Sequence, residues 1–505
     1  MSQIRTKNIS WDFYSKLIII CFLLLQVLRW RILPQFMDMH YHLLTAWGFN
    51  QAGGYSGWDF WQYAPFGRIH IYPPVFHLIL AALLKAGINA VILAKICETA
   101  TPILFLSALW LFVRRNYNER LAFFVLLALS SSYSFYLSLI NYIPATLAII
   151  LGLYVFDQLF RNRTLRPILL LALCFYTHIG ISWFFVLSLF LYGLFDSRYR
   201  KTCFLVSMFS IVLACPILLK QLAGFKLFST ASINEKYFSE FKILDYILAL
   251  FGVAIILRQQ KKYWLFLSLF LASFIFLVYP YRFFSAQGYL PIIFLSAVTL
   301  DSIFKVIREE KGYFKYYFGI SLIAYLLIFS PTILMEKNED KIVYKFYVAD
   351  SALVDMVFLE RNQRLASLSL WYPSEYMAAA NIIKANSEDG DIIYSKINYV
   401  GVCLASITGR ATANRLFAEI DSAKKFNPIA VSKIFIAPKD EEALTQQRVF
   451  DLNKLNFVKI GENKMFVLYK NPSCQAKINI KKASVPFWAV GLVGLVFIAL
   501  MFTGI

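Results

Sequence analysis

The chain has few charged residues for its length. Only 16% of its 505 residues are charged and 59% are hydrophobic, whereas ordinary globular proteins carry about 25% charged residues. A chain of this composition has too little polar surface to cover itself in water, so lipid must solvate much of it. The composition excludes an ordinary soluble protein and predicts an integral membrane protein.

Acidic residues are scarcer than basic ones, at 30 against 50, which gives a formal net charge of +20. The basic residues gather in short clusters between apolar runs, a pattern that the positive-inside rule explains as cytoplasmic loops. We therefore expect no nucleic-acid partner. The clusters are Arg114–Arg115, Arg161/Arg163/Arg166, Arg198/Arg200/Lys201, Arg258/Lys261/Lys262 and Lys305/Arg308.

The seven cysteines show neither a CxxC motif nor a Cys/His spacing typical of a metal site. Five lie in apolar runs, while Cys403 and Cys474 fall in a polar C-terminal region and could pair there if it faces an oxidising space. The first apolar run, 17–33, lacks a small-residue cleavage site, so we interpret it as a retained anchor rather than a signal peptide.

Long apolar runs predict the topology, since a helix needs about 20 apolar residues to cross a bilayer. Segment 72–86 is interpreted as an interfacial or re-entrant helix, because all five basic clusters then fall on the cytoplasmic side. We predict about 12 transmembrane helices with both termini inside. They lie at 16–33, 90–113, 120–139, 142–160, 166–178, 179–195, 202–220, 244–258, 263–279, 283–304, 316–334 and 485–504.

This topology predicts three parts: a transmembrane module over 1–334 with a first external loop at 34–89, an extracytoplasmic domain over 335–483, and a last transmembrane helix within 484–505. The outer domain is predicted to be α/β. A helix is expected at 374–385, buried strands at 391–395 and 434–437, and a hairpin of 457–460 with 465–469. The fold class is thus mainly α, polytopic, with a C-terminal α/β domain.

The most informative polar stretch follows the first span and contains Asp38, His40 and His42. A helix there would place Asp38 and His42 on one face, one turn apart. The structural alternative is that Asp38 is a helix N-cap, which would leave the two histidines unexplained.

Further candidates lie on the other predicted outer segments. Aromatic residues near the interface need no functional explanation, but Arg68 and His70 suit a phosphate and a sugar. Arg282 lies between two long spans, and arginine binds phosphate bidentately. His178 ends a short apolar helix, where a lone histidine more often has a structural role. In the polar loop around 230–238, Glu235 or Lys236 could complete a site, although an ordinary exposed loop is the better explanation.

At these residues the sequence resembles the GT-C superfamily of integral membrane glycosyltransferases, which includes protein O-mannosyltransferases, aminoarabinose transferases of lipid A and the catalytic subunit of oligosaccharyltransferase. The resemblance implies transfer of a sugar from a polyprenyl-phosphate carrier on the non-cytoplasmic face of a bacterial or archaeal plasma membrane. It rests on the first-loop acidic motif Met37–His42, on Tyr72-Pro73-Pro74, on Thr177-His178, and on Ala378–Lys384 with Leu404–Arg410 in the outer domain.

The resemblance implies that Asp38 is the catalytic base and that Arg282 holds the donor phosphate. His40, His42, Arg68, His70 and His178 complete the predicted substrate site. The chain departs from the family because Met39 replaces a second acid, Tyr72 replaces the lysine of a Lys-Pro-Pro motif, and no Trp-Trp-Asp signature is present. No cofactor is required, although a divalent metal on Asp38 and His40 is compatible with the motif.

The acceptor is left open among a glycan, a lipid and a protein. The main alternative function is a transporter or flippase for a lipid-linked saccharide, which would also need outer-face charges. No inverted internal repeat of the kind common in transporters is seen.

Overall fold

The computed structural model describes residues 10–34, 37–225, 238–259, 261–278, 280–309, 313–338, 341–357, 372–416, 420–439, 452 and 456–502. Helices dominate it. In chain order they are α1 (Trp11–Leu28), α2 (Met37–Ala52), α3 (Val75–Lys85), α4 (Ala90–Asn116), α5 (Glu119–Ser130), α6 (Tyr133–Asn141), α7 (Ile143–Phe160), α8 (Leu165–Thr177), α9 (Ile179–Phe195), α10 (Arg200–Phe225), α11 (Ile243–Gln259), α12 (Trp264–Ser273), α13 (Pro280–Phe284), α14 (Leu290–Glu309), α15 (Phe314–Ala324), α16 (Ala352–Val357), α17 (Pro373–Asn386), α18 (Asn398–Thr408) and α19 (Phe487–Phe502).

Six helical segments among the described residues are long and apolar enough to cross a membrane. They support an integral membrane protein, but length alone does not confirm the predicted number of 12 spans. The other predicted spans are helices too, several of them shorter than a bilayer crossing requires. The six segments are Trp11–Ile32, Ala90–Asn116, Ile143–Phe160, Arg200–Gly224, Lys261–Val278 and Tyr281–Ile307.

The predicted span 120–139 is not a straight helix, because α5 and α6 meet at an angle of 89°. Three consecutive serines lie at the bend. Ser130 and Ser131 hydrogen-bond back to carbonyls of Leu126 and Ala128, while Ser132 caps Phe135 at the start of α6. Serine hydroxyls compete with the helical backbone for its partners, which explains the break that an apolar count does not detect.

The predicted basic loops are partly neutralised by acids. Arg120 and Lys305 both pair with the buried Asp301, and Arg161 pairs with Asp157. Arg198 and Asp196 form a bonded pair at 2.7 Å. These acids therefore offset part of the positive charge of the predicted basic loops.

Segment 72–86 forms only the 11-residue helix α3, which is too short to span a bilayer. It packs against α2, the helix that carries Asp38. This agrees with the interpretation of segment 72–86 as a helix that does not cross the membrane.

The C-terminal region contains a five-stranded sheet in the order β10-β11-β9-β7-β8. β7 pairs in parallel with β8 and with β9, the central strand, and β11 joins antiparallel to β9 and β10. The predicted strands, hairpin and helix of this domain are present. The strands are β7 (Ile392–Ser395), β8 (Ala411–Thr412), β9 (Ile434–Pro438), β10 (Val458–Glu462) and β11 (Phe466–Lys470).

Three smaller strand groups lie outside this sheet. The strands β1 (Gly54–Tyr55) and β12 (Val485–Pro486) pair with each other, as do β2 (Trp58–Asp59) and β3 (Arg68–Ile69). A three-stranded antiparallel sheet combines β4 (Phe238–Phe241), β5 (Thr332–Asn338) and β6 (Lys341–Tyr347). The strands β5 and β6, with which the predicted outer domain begins, therefore belong to a separate sheet. That sheet also includes β4, which comes just before α11.

The predicted pairing of Cys403 with Cys474 is wrong, because both thiols are free. Cys403 is buried in α18, whereas Cys474 lies in the turn after β11, where its backbone carbonyl accepts from Lys433. The two cysteines belong to different elements of the domain, and their side chains do not meet.

The outer domain docks onto the first external loop through main-chain hydrogen bonds. The amide of Thr412 donates to the carbonyl of Trp61 at 2.9 Å, and that of Ala64 donates to Thr412 at 3.0 Å. On α2, Nδ1 of His40 lies 2.8 Å from Oγ of Ser406 in α18. The domain thus holds both the loop and the helix that carry the predicted site residues.

Candidate active site

One cavity of about 380 Å³ lies where the predicted outer segments meet. Each of the six segments that the sequence places outside the membrane contributes at least one lining residue. They include Asp38 and Tyr72 from the first loop, and Tyr142, His178, Gln221, Arg282 and Ile420 from the others. We call it the active-site cavity.

Six of the seven predicted site residues line this cavity: Asp38, His42, Arg68, His70, His178 and Arg282. His40 does not. Two positions along a helix separate side chains by about 200°, so Asp38 and His40 face different sides of α2, and His40 points to Ser406 in the outer domain. Asp38 therefore faces the cavity, whereas His40 faces the outer domain. Glu235 and Lys236 lie outside the described residues.

Asp38 and Arg282 act electrostatically on the same two hydroxyls. Burial raises the pKa of Tyr142 to about 12, with Asp38 adding to the rise and Arg282 opposing it. Burial also raises the pKa of Tyr72, with Asp38 adding to the rise and Arg282 opposing it. The Arg282 guanidinium also lies 5.6 Å from the ring centroid of Tyr142. The carboxylate and the cation therefore share one small neighbourhood.

Two histidines form a hydrogen-bonded pair behind the cavity. Nδ1 of His42 lies 2.8 Å from Nε2 of His77, and Nδ1 of His77 lies 3.2 Å from the carbonyl oxygen of Pro73. A carbonyl can only accept, so His77 carries its proton on Nδ1 and its Nε2 accepts. Burial lowers the pKa of both rings, that of His77 to about 3. In the neutral pair, His42 donates from Nδ1, and its Nε2 remains an acceptor.

His178 has the opposite tautomer. It is the N-cap of α9, where its Nδ1 accepts from the amide of Ile181 at 3.3 Å. Burial, and then the positive charge of Arg282, lowers its pKa to about 3. The neutral ring carries its proton on Nε2 and can donate it. His178 therefore caps α9 and also lines the cavity.

Arg68 is bound by the protein itself. Its Nε donates to Asp59 at 3.1 Å, and its other nitrogens donate to the carbonyls of Ile420 and Leu416 at 2.9 and 3.0 Å. The side chains of Arg68 and Asp59 are only 6% and 1% exposed. This arginine fastens the β2–β3 hairpin to the outer domain, and it also lines the cavity.

His70 lies deep in the lining among aromatic rings. Its ring centroid is 5.5 Å from that of Phe49 and 5.4 Å from that of Trp61. Its Nε2 is buried and has no hydrogen-bond partner among the described residues. Burial first, and then nearby His77, Lys220 and Arg68, keep its pKa well below the usual value.

Sequence reasoning did not select Tyr72, His77, Tyr142 and Gln221 as site residues. All five histidines of the chain lie in α2, the first loop, α3 or the α8–α9 turn. The scarcity of histidine was therefore a usable signal. Nothing local marks Tyr142 or Gln221, because only the packing of α7 and α10 brings them to the cavity.

Within the described part of the chain, no three His, Cys, Asp or Glu side chains cluster closely enough to hold an ion. Of the two carboxylates in the lining, Asp38 acts electrostatically on Tyr72 and Tyr142, while Asp59 is bound to Arg68.

Comparison with solved structures gives extended matches. The oligosaccharyltransferase AglB from Archaeoglobus fulgidus, in complex with an inhibitory peptide and a dolichol-phosphate, matches with a TM-score of 0.54 at 11% identity, covering 92% of this chain and 75% of AglB. ArnT from Cupriavidus metallidurans, bound to undecaprenyl phosphate, matches with a TM-score of 0.54 at 12% identity, covering 91% of this chain and 99% of ArnT. The chain has the GT-C fold.

This GT-C fold confirms the family resemblance as far as architecture goes. Both matches cover more than nine-tenths of the chain, so they include the outer domain as well as the helices. At the level of sequence, no family model and no curated protein matches the chain. The roles of its residues therefore rest on its own geometry.

Proposed function

We propose that the chain is a membrane glycosyltransferase that moves a sugar from a polyprenyl-phosphate carrier to an acceptor on the extracytoplasmic side. The observation that carries the proposal is the active-site cavity, which joins the Asp38 carboxylate and the Arg282 guanidinium across two tyrosines. One group can take a proton and the other can hold a phosphate. The fold shared with AglB and ArnT, which were solved with lipid phosphates, supports this reading.

The reaction is a displacement at the anomeric carbon. Asp38 accepts the proton of the acceptor hydroxyl as its oxygen bonds to that carbon. The bond from the anomeric carbon to the phosphate oxygen breaks, and the lipid phosphate leaves with the electron pair. Arg282 stabilises the charge on that phosphate, because a fixed cation in a partly desolvated site acts strongly on developing charge. A single displacement inverts the anomeric centre.

The two histidines in the lining supply complementary neutral groups. Nε2 of His42 accepts a hydrogen bond, and Nε2–H of His178 donates one. We assign His42 to a sugar hydroxyl and His178 to a phosphate oxygen, because His178 lies close enough to Arg282 for its pKa to be affected. Arg68 acts indirectly by holding the hairpin that forms one wall.

The proposed location is the plasma membrane of a bacterium or archaeon, with the cavity facing away from the cytoplasm. The basic clusters of the sequence support this orientation through the positive-inside rule. The cavity gives no specific support to the transporter alternative. Its charged groups lie at a loop-lined end of the bundle and suit proton transfer and phosphate binding.

Transfer of radiolabelled sugar from polyprenyl-phosphate donors, in membranes carrying wild type or Asp38→Asn, tests the proposal. We expect label to enter lipid, glycan or protein only with wild type, at equal expression and equal thermal stability. His40→Gln is the matched control, since it changes the same helix without touching the cavity. Unimpaired transfer by Asp38→Asn would exclude the proposed base, and an absence of transfer from every donor would favour the transporter.

A further inference from the structure

A second cavity, of about 570 Å³, lies on the outer domain next to the active-site cavity. It opens at the carboxyl ends of β7 and β8: Lys396 directly follows β7, and Arg415 comes three residues after β8. In the sheet, β8 and β9 lie on opposite sides of β7. Ligands of open parallel sheets bind at carboxyl ends beside such a change in strand order. We call this the cationic cavity.

The lining of the cationic cavity is strongly positive. Four of its residues are cations, namely Lys396, Arg415, Lys424 and Lys425, and one, Asp421, is an acid. Arg415 donates from Nη1 both to Asp421 at 2.8 Å and to the hydroxyl of Tyr63 at 2.9 Å. These bonds hold Arg415 in place and pair it with the acid of the lining. The cations come from three separate chain segments, so they converge through the fold rather than through sequence adjacency.

The two cavities share a wall. The ring of Tyr63 lies between two guanidinium groups, 5.2 Å from that of Arg68 and 5.8 Å from that of Arg415. Arg68 lines the active-site cavity, and Arg415 lines the cationic cavity. The adjacent residues Ile420 and Asp421 are divided in the same way. A ligand held in the cationic cavity would lie beside the proposed site of transfer.

We propose that the cationic cavity binds a phosphate group of a second ligand, distinct from the donor phosphate at Arg282. Phosphate oxygens match a guanidinium and several ammonium groups because each can accept charge-assisted hydrogen bonds. That this ligand is the acceptor rests on the proposed function. Binding of its phosphate in the cationic cavity does not depend on sugar transfer. The phosphate belongs either to a lipid headgroup or to a soluble phosphorylated sugar.

Binding is tested with the full-length protein in phosphatidylcholine nanodiscs, by the rise of Tm with added ligand. The protein carries Arg282→Gln, so that the proposed donor site does not contribute. The soluble probes are inorganic phosphate and glucose 6-phosphate, and the lipid probe is phosphatidic acid in the nanodisc. A rise with the soluble probes alone identifies a soluble ligand, and a rise with phosphatidic acid identifies a headgroup.

The substitutions Lys424→Gln and Lys425→Gln are then added together to the Arg282→Gln protein. We expect them to weaken binding of the phosphate probe roughly tenfold, equivalent to about 1.4 kcal/mol. The matched control is Lys384→Gln with Lys464→Gln, an exposed pair on the same domain that does not line the cavity. Equal weakening by both pairs, or no rise of Tm beyond that given by chloride, would overturn the proposal. Phosphate binding that persists in Asp38→Asn protein while transfer is lost would separate this site from the catalytic one.

Discussion

Nδ1 of His42 and Nε2 of His77 lie 2.8 Å apart, and this bond decides which group His42 presents to the active-site cavity. The carbonyl of Pro73 fixes the proton of His77, and His77 in turn fixes the proton of His42. The Tyr72-Pro73-Pro74 segment thereby acts on the site through the backbone, although its second residue carries no polar side chain.

We expect ¹⁵N-histidine NMR to show His42 and His77 in the Nδ1–H tautomer and His178 in the Nε2–H tautomer. With five histidines in the chain, each can be assigned by single substitution. His77→Ala removes the acceptor for His42, so we expect the tautomer signal of His42 to change and kcat/KM to fall roughly tenfold. An unchanged His42 signal in that variant would show that His77 does not set the tautomer. His40→Gln serves as the control.

Arg282→Gln is expected to raise the KM for the polyprenyl-phosphate donor and to lower kcat, because the leaving phosphate loses its cation. A charge-assisted hydrogen bond contributes about 1.5–3 kcal/mol, so the combined loss in kcat/KM should be roughly 10- to 100-fold. Steady-state kinetics at varied donor concentration measures this. A loss of Tm in place of a kinetic change would show that Arg282 is structural.

Arg68→Gln is expected to act on stability instead. Removing one partner of a buried ion pair leaves the other charge buried and unpaired. This lowers the free energy of unfolding by about 3–5 kcal/mol. The double variant Asp59→Asn/Arg68→Gln should recover part of that loss, because no buried carboxylate is left unpaired. Thermal unfolding in detergent checks both variants. If Arg68→Gln kept its Tm and lost only donor affinity, the original prediction of a phosphate ligand would be right after all.

Acid should destabilise the fold through its histidines. Burial lowers the pKa of His40 and His77 to about 3, whereas a histidine in the unfolded chain titrates near 6.5. Between those values the unfolded state binds more protons, so the free energy of unfolding falls as the pH falls from about 6.5 towards 3.

His40→Gln removes one of these groups, so its unfolding free energy should fall less steeply, by up to about 1.4 kcal/mol per pH unit. Tm measured from pH 8 to pH 4 tests this, with no difference in slope expected above pH 7. Parallel curves throughout the range would contradict the inferred titration.

Gly48→Ala should disturb the packing of α2 on the first loop. A Cβ at Gly48 would lie 2.1 Å from the ring of Trp61, whereas one at Gly319 in α15 meets nothing within 4 Å. We expect Gly48→Ala to cost about 1–3 kcal/mol through overpacking, and Gly319→Ala to be neutral or slightly stabilising. Tm separates the two outcomes. Equal effects would mean that α2 can shift without loss.

The sequence by itself determined which parts of the chain need lipid and which need water. The positions of most apolar helices, the hairpin at 457–469 and the six outer segments that line the cavity follow from apolar runs, turn residues and the distribution of basic clusters. These are local properties, and a hydrophobic run excludes water wherever it packs. The same reasoning placed Asp38, His42, His178 and Arg282 at one end of the bundle, where the structure finds them together.

Only the tertiary structure decided what each of those groups is bonded to. Arg68 and His70 are separated by one residue in sequence, yet the first is held by Asp59 and the outer domain, while the second faces aromatic rings. His40 reaches Ser406, 366 residues away. Hydrogen bonds depend on distance and direction in three dimensions, and residue spacing along the chain specifies neither between separate elements.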